Sequence, residues 1–208
     1  IPCQAQQLAH VSSRDFHPES MRWTELFLYR TAEGGLVCQE EGHTQISGEV
    51  IRYRLLSGST PDELVQATGF GWLAKVLYEA AGIEHARRLD ANLPIDTTID
   101  EFHLRQDDAP DLAFRGNRCV VVSTDHPARK PTRWSELHLY RLPSGKLVCH
   151  ELGLTRISGE IPRQRIHIAL SASKLMAALG NGRLASELYS KMGWRHEPAA
   201  GAPRLRRV

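Results

Sequence analysis

The chain has 208 residues, 41% of them hydrophobic and 24% charged, with a formal net charge of +2 at neutral pH. These ordinary globular proportions exclude a disordered chain. No apolar run approaches the roughly 20 residues that a helix needs to span a bilayer, so no membrane partner is expected. The charge is too mild to imply nucleic-acid binding by itself.

Taken in chain order, the first strand is expected over Leu8–Ser13, followed by a turn at His17-Pro18. Glu25–Arg30 alternates aliphatic and aromatic residues, and Leu36–Glu40 returns after Glu33-Gly34. Glu33-Gly34 reads as a two-residue hairpin turn with glycine second. That register sets Tyr29 opposite Cys38. Strand alternation then gathers Trp23, Glu25, Phe27, Tyr29, Cys38 and Glu40 on one face, with Leu26, Leu28, Arg30 and Val37 on the other. A fourth strand is expected over Ile51–Leu56. Ser59-Thr60-Pro61-Asp62-Glu63 has the composition of a helix start: a hydroxyl cap, proline in the first turn and acids at the positive end of the dipole. Gly69 and Gly71 break that helix. A second helix is predicted over Trp72–Ala81, closed by Gly82, with Leu73, Ala74 and Leu77 at helical spacing on its buried face.

The same pattern then recurs. RWTELFLYR at 22–30 returns as RWSELHLYR at 133–141, ISGE at 46–49 returns at 157–160, and GFGWLAKVLYEAAGI returns as GNGRLASELYSKMGW. The offset is a constant 111, no gap is needed from Arg22 to Ile83, and roughly half of the aligned positions are identical. Self-similarity of this quality reads as a tandem duplication. A weaker match pairs His17-Pro18 with His126-Pro127 after a two-residue shift. The expected fold class is α+β: two tandem copies of a small β-rich module, each about four strands then two short helices, packed as a pseudo-twofold pair. The first module is 1–83 with its core at 22–83, and the second is 119–194 with its core at 133–194. Between them, 84–118 is a polar, partly acidic connector (Asp96, Asp100, Glu101, Asp107, Asp108, Asp111) expected to hold one short element. Residues 195–208 form a basic C-terminal tail containing Arg204, Arg206 and Arg207.

The residues kept in both copies carry the functional argument. The retained charges are Arg22, Glu25, Arg30, Glu40, Glu49, Arg52 and Arg54. Their counterparts are Arg133, Glu136, Arg141, Glu151, Glu160, Arg163 and Arg165. Exposed ion pairs are worth little, so retention points to ion pairs between strands or to a shared ligand surface. Arg52 and Arg54 alternate along one strand and so share a face, as do Arg163 and Arg165. Two neighbouring guanidinium groups are suited to phosphate or carboxylate.

The four cysteines, Cys3, Cys38, Cys119 and Cys149, contain no CxxC pair, so no structural zinc site is expected. The opening residues lack the features of a secretion signal. Free thiols in a bacterial, cytoplasmic protein are therefore expected. Cys38 and Cys149 lie in strand settings beside Val37 and Val148 and read as buried structural thiols. His138, His150 and His167 are private to the second copy, with His138 and His150 on different faces in the register above. No Walker loop, dinucleotide fingerprint, HExxH or GxSxG is present. The resulting expectation is a binding or regulatory protein without a catalytic residue, metal or cofactor, engaging nucleic acid or a protein through Arg52, Arg54, Arg163 and Arg165. The alternative is an enzyme with a polar Glu/Arg/Tyr/His site between the modules, active mainly in the second copy.

Overall fold

The computed structural model describes residues 5–92, 99–125 and 130–194. Cys3, Asp96, His126-Pro127 and the basic tail 195–208 lie outside them. The architecture is α+β, with two sheets of four and six strands and four helices among the described residues. The chain divides into two compact units: residues 1–89 with 103–113, and residues 90–102 with 114–208. None of the described helices is long and apolar enough to cross a membrane.

In unit 1, β1 (Gln6–Ser12), β2 (Arg22–Arg30), β3 (Leu36–Thr44) and β4 (Arg52–Gly58) form an antiparallel sheet in sequence order. Two helices follow, α1 (Pro61–Thr68) and α2 (Trp72–Ala81). The Thr60 side chain accepts a hydrogen bond from the Glu63 N–H, and Pro61 opens α1 with Asp62 and Glu63 in the first turn. These contacts satisfy orphan donors and complement the dipole, as the local sequence predicts. The helices cover one face of the sheet. Leu26, Leu28, Leu36 and Cys38 meet Leu64, Val65, Leu73, Ala74 and Leu77 there, all buried. Burying each large aliphatic side chain contributes roughly 1.5–3 kcal/mol, and the Tyr78 hydroxyl donates to the Gly69 carbonyl at 2.7 Å.

The stretch 84–118 holds more structure than one short element. It carries β5 (Arg87–Arg88), β6 (Asp100–Leu104) and the first half of β7 (Leu112–Ser123). Within unit 1, β5 pairs in parallel with Leu112 and Ala113.

In unit 2, the rest of β7 pairs with β8 (Arg133–Arg141), followed by β9 (Leu147–Thr155), β10 (Arg163–Ala169), α3 (Ala172–Leu179) and α4 (Arg183–Met192). The bounds of β8, β9, β10, α3 and α4 each lie 111 residues beyond their unit 1 counterparts. So does the irregularity in the first strand, between Gln7 and Ala9 in β1 and between Arg118 and Val120 in β7. That register runs without a two-residue shift.

The hairpin register differs from the sequence expectation. Leu28 faces Cys38 and Tyr29 faces Val37; in unit 2, Leu139 faces Cys149. The loop has three residues, not two. Thr31 N–H donates to Gly35 O at 2.8 Å, Gly34 N–H returns to Thr31 O, and Gly34 takes φ +87°. This is a turn followed by one left-handed residue, repeated at Leu142, Gly145 and Lys146. The extra loop residue moves every β3 side chain to the other face. Cys38 and Glu40 therefore join Leu26 and Leu28, while Val37 joins Trp23, Glu25, Phe27 and Tyr29.

Candidate anion-binding surface

Several retained charges lie at the end of each sheet away from the hairpin, where Arg22 faces Thr44 and Arg52 faces Gly42, whereas Arg30 lies at the hairpin end opposite Leu36. Arg22, first residue of β2, forms a bidentate fork with Glu49: Nε donates to Oε2 at 2.9 Å and Nη2 donates to Oε1. Thr44 Oγ1 also donates to Glu49 Oε2, at 2.8 Å. The Ile46-Ser47-Gly48-Glu49 turn, closed by Glu49 N–H to Ile46 O, delivers the carboxylate to this fork. The Arg22 and Thr44 hydrogen bonds hold the Glu49 carboxyl down at about 2. Unit 2 repeats the arrangement with Arg133, Thr155 and Glu160. The ISGE repeat is thus a turn that presents a glutamate to an arginine.

Pairing at Glu49 and Glu160 leaves the arginines of the next strand less engaged. Arg52 stands opposite Gly42, and Arg54 opposite Glu40. Arg54 Nη1 reaches Glu40 Oε2 only at 3.8 Å, with the two side chains 62% and 37% exposed. Such an exposed contact is worth little. In unit 2, Arg165 faces Glu151 in the register, but Glu151 is held by His167 at 3.1 Å. Among the described residues, Arg52, Arg163 and Arg165 form no salt bridge, and all three are exposed. In unit 1 the arginines open onto a groove of about 970 Å³ lined also by Trp23, Glu40, Glu49 and Tyr53. Three arginines against two glutamates leave one positive charge in excess there.

Each sheet also carries a tryptophan–glutamate pair on its other face. Trp23 Nε1 donates to Glu25 Oε1 at 3.0 Å, and Trp134 Nε1 donates to Glu136 Oε1 at 3.0 Å. A guanidinium lies over each indole: Arg14 over Trp23 at 4.5 Å and Arg156 over Trp134 at 4.3 Å. Arg14 and Arg156 are not counterparts at the 111-residue offset, so alignment of the two units does not find them. Tyr53, 65% exposed at the groove, was also missed, because Gln164 stands 111 residues beyond it.

His138 and His150 do not lie on different faces. They are directly opposed across β8 and β9, with ring centroids 6.5 Å apart. The one-residue change in loop length reverses the expectation. His138 Nε2 is 2.8 Å from Glu136 Oε2. Burial raises the Glu136 pKa, but hydrogen bonds from His138, Trp134 and Ser123 outweigh it and hold the carboxyl below its ordinary range. The thiols are poor nucleophiles. Burial pushes Cys38 up to about 11 and Cys149 up to about 12, so neither supplies thiolate at neutral pH. Both are free and buried, whereas Cys119 is exposed.

Comparison with known proteins yields no match: none to a family model, none to a curated protein and none to a solved structure.

Proposed function

We propose that this is a non-catalytic binding protein whose two units, products of a tandem duplication, each offer an arginine pair to a polyanion, nucleic acid in the first place. One observation carries the reading. Of the four glutamates near the β4 and β10 arginines, three are committed elsewhere, Glu49 to Arg22, Glu160 to Arg133 and Glu151 to His167, and the fourth, Glu40, reaches Arg54 only at 3.8 Å. Guanidinium groups that stay exposed and weakly paired in both units suit phosphate oxygens. In unit 1 the exposed Tyr53, between them on β4 with its side chain on the opposite sheet face, lines the same groove and adds a ring on which a base can stack.

The test is a salt titration of binding to duplex DNA. Neutralising phosphates releases condensed counterions, so four engaged arginines give a log–log slope of about −3 to −4. The Arg52→Ala/Arg163→Ala double variant should flatten that slope by about two units without changing the melting temperature. No salt-dependent binding to any nucleic acid at about 50 mM salt, or a double variant that only loses stability, would overturn the proposal in favour of a protein partner.

The enzyme alternative draws support from one feature, the Glu136–His138–His150 group in unit 2. A carboxylate orienting an imidazole is a general-base arrangement, and Phe27 and Gln39 hold the two histidine positions in unit 1. His138→Gln would separate the readings, since a binding protein keeps its polyanion affinity with that change.

A further inference from the structure

A second polar cluster lies inside unit 1, away from the arginine surface and independent of it. Lys75 on α2 is buried, and its ammonium donates to Asp111 Oδ1 at 2.5 Å and to the Gln106 carbonyl. Asp111 Oδ2 is left facing His85 Nε2 at 3.5 Å. Glu79, one helical turn beyond Lys75, completes a group whose three candidate ligand atoms all lie within 4.8 Å of one another.

The histidine decides what this cluster is for. Its Nδ1 lies 3.3 Å from the Ile83 carbonyl, which can only accept, so in the neutral ring Nδ1 carries the proton and Nε2 the lone pair. The His85 side chain is 9% exposed, and its buried Nε2 has no hydrogen-bond partner. A lone pair directed at carboxylate oxygens is repulsive unless a cation lies between them. Histidines that bind metals characteristically donate their other N–H to a backbone carbonyl or a carboxylate. The spacing also fits. Tetrahedral Zn²⁺ with bonds of about 2.0–2.1 Å sets its ligand atoms about 3.3 Å apart, close to the His85–Asp111 separation.

We propose that Glu79, His85 and Asp111 form a binding site for a divalent transition-metal cation of the Zn²⁺ type. Three protein ligands leave a fourth position for water, and imidazole with carboxylates is a donor set that zinc accepts. Lys75 stays on Asp111 Oδ1 and orients the carboxylate from outside, so Oδ2 turns to the metal. Arg105, which donates to Glu79 Oε1 at 2.9 Å and is 63% exposed, moves off into solvent as the cation arrives. The bound ion fastens the segment around Asp111 to α2. Unit 2 has Ser186 and Ser190 at the positions of Lys75 and Glu79, so the group is not repeated there among the described residues.

The experiment is Zn²⁺ titration of the chelator-treated full-length protein by calorimetry, repeated with Co²⁺ and read by visible absorption. One equivalent of Zn²⁺ is expected, with a raised melting temperature through linkage and a cobalt spectrum of low coordination number. Outer-sphere partners alone are worth about 10–100-fold in affinity, so His85→Gln should weaken binding by at least about 100-fold. Glu79→Gln, at an exposed position, tests the site without touching the buried pair. Wild-type protein without saturable Zn²⁺ binding would overturn the proposal. So would binding that survives in both variants while their metal-free melting temperatures match the wild type, since the ion would then be held elsewhere.

Discussion

Units 1 and 2 hold the same glutamate with histidines from different strands. In unit 1, Glu25 receives the Trp23 indole N–H and lies 3.3 Å from His10 of β1, whose ring stacks on Phe27 at 4.3 Å. In unit 2, Glu136 receives the Trp134 indole, and its histidine is His138 of β8, at the position of Phe27, while Val121 stands where His10 does. The arginine over the indole likewise comes from different places, Arg14 and Arg156. A half-buried carboxylate needs donors, and an indole face attracts a cation; either need can be met from any neighbouring strand that reaches. Comparing the units therefore identifies the requirement, where comparing aligned positions identifies only the residues that did not move.

The comparison is broken most severely where the units pack their first helix against the sheet. A Cβ on Gly58 would lie 2.5 Å from the Leu64 nitrogen and 2.9 Å from the Glu63 carbonyl carbon, both in α1. The same position in unit 2 is Ala169, buried against α3. Gly58→Ala should cost about 1–3 kcal/mol through overpacking, read by urea unfolding, while Ala169→Gly should cost only about 0.5–1 kcal/mol. Equal effects would mean that the helices approach their strands alike.

A smaller difference concerns ligand binding. Tyr53 lies between the unit 1 arginines on β4, its ring on the other sheet face at the groove, and Gln164 occupies its place in unit 2. Tyr53→Ala should weaken single-stranded DNA binding by about 1 kcal/mol, the lower end of a base-stacking contribution, and Gln164→Ala should leave it unchanged. Filter binding at fixed salt separates the two. Equal losses would show that the aromatic ring adds nothing.

The smallest effect sharpens what the units share. Glu49 has its folded pKa lowered, to about 2 from an ordinary 4.5, and Glu160 is lowered in the same direction by Arg133 and Thr155. A depressed carboxyl stabilises the fold fully above its unfolded value and loses that contribution as pH falls through the folded one. Stability should therefore fall between about pH 4.5 and 2, and Glu49→Gln or Glu160→Gln should each flatten the fall by a similar amount in thermal melts. A loss confined to one variant would mean that only one fork matters.

Much of the fold was legible because it is local. Thr60 and Pro61 announce α1, the spacing of Leu73, Ala74 and Leu77 defines the buried side of α2, and the repeat carries both readings into unit 2. What failed was the hairpin loop. Glu33-Gly34 has the composition of a two-residue turn, yet Gly34 serves as the left-handed third residue of a longer one. Since strand side chains alternate, that one residue misplaced Cys38 and Glu40 and hid the opposition of His138 and His150. That Arg52 and Arg54 share a face was legible, because they lie two positions apart on one strand whatever its register. The Lys75–Asp111 pair was not found, because its members are 36 positions apart and Ser186 stands 111 residues beyond Lys75.

The strands that bear the arginines, β4 and β10, are terminal in their sheets. An outermost strand has backbone groups free to accept another strand, and β4 also exposes Tyr53 and Leu55, side chains well suited to such an addition. Long cationic side chains at every second position make that addition unfavourable, because a second copy would bring like charges together. The same arginines thus act as gatekeepers against self-assembly. Removing their charge should produce concentration-dependent oligomers in solution, even for a chain that never meets a polyanion.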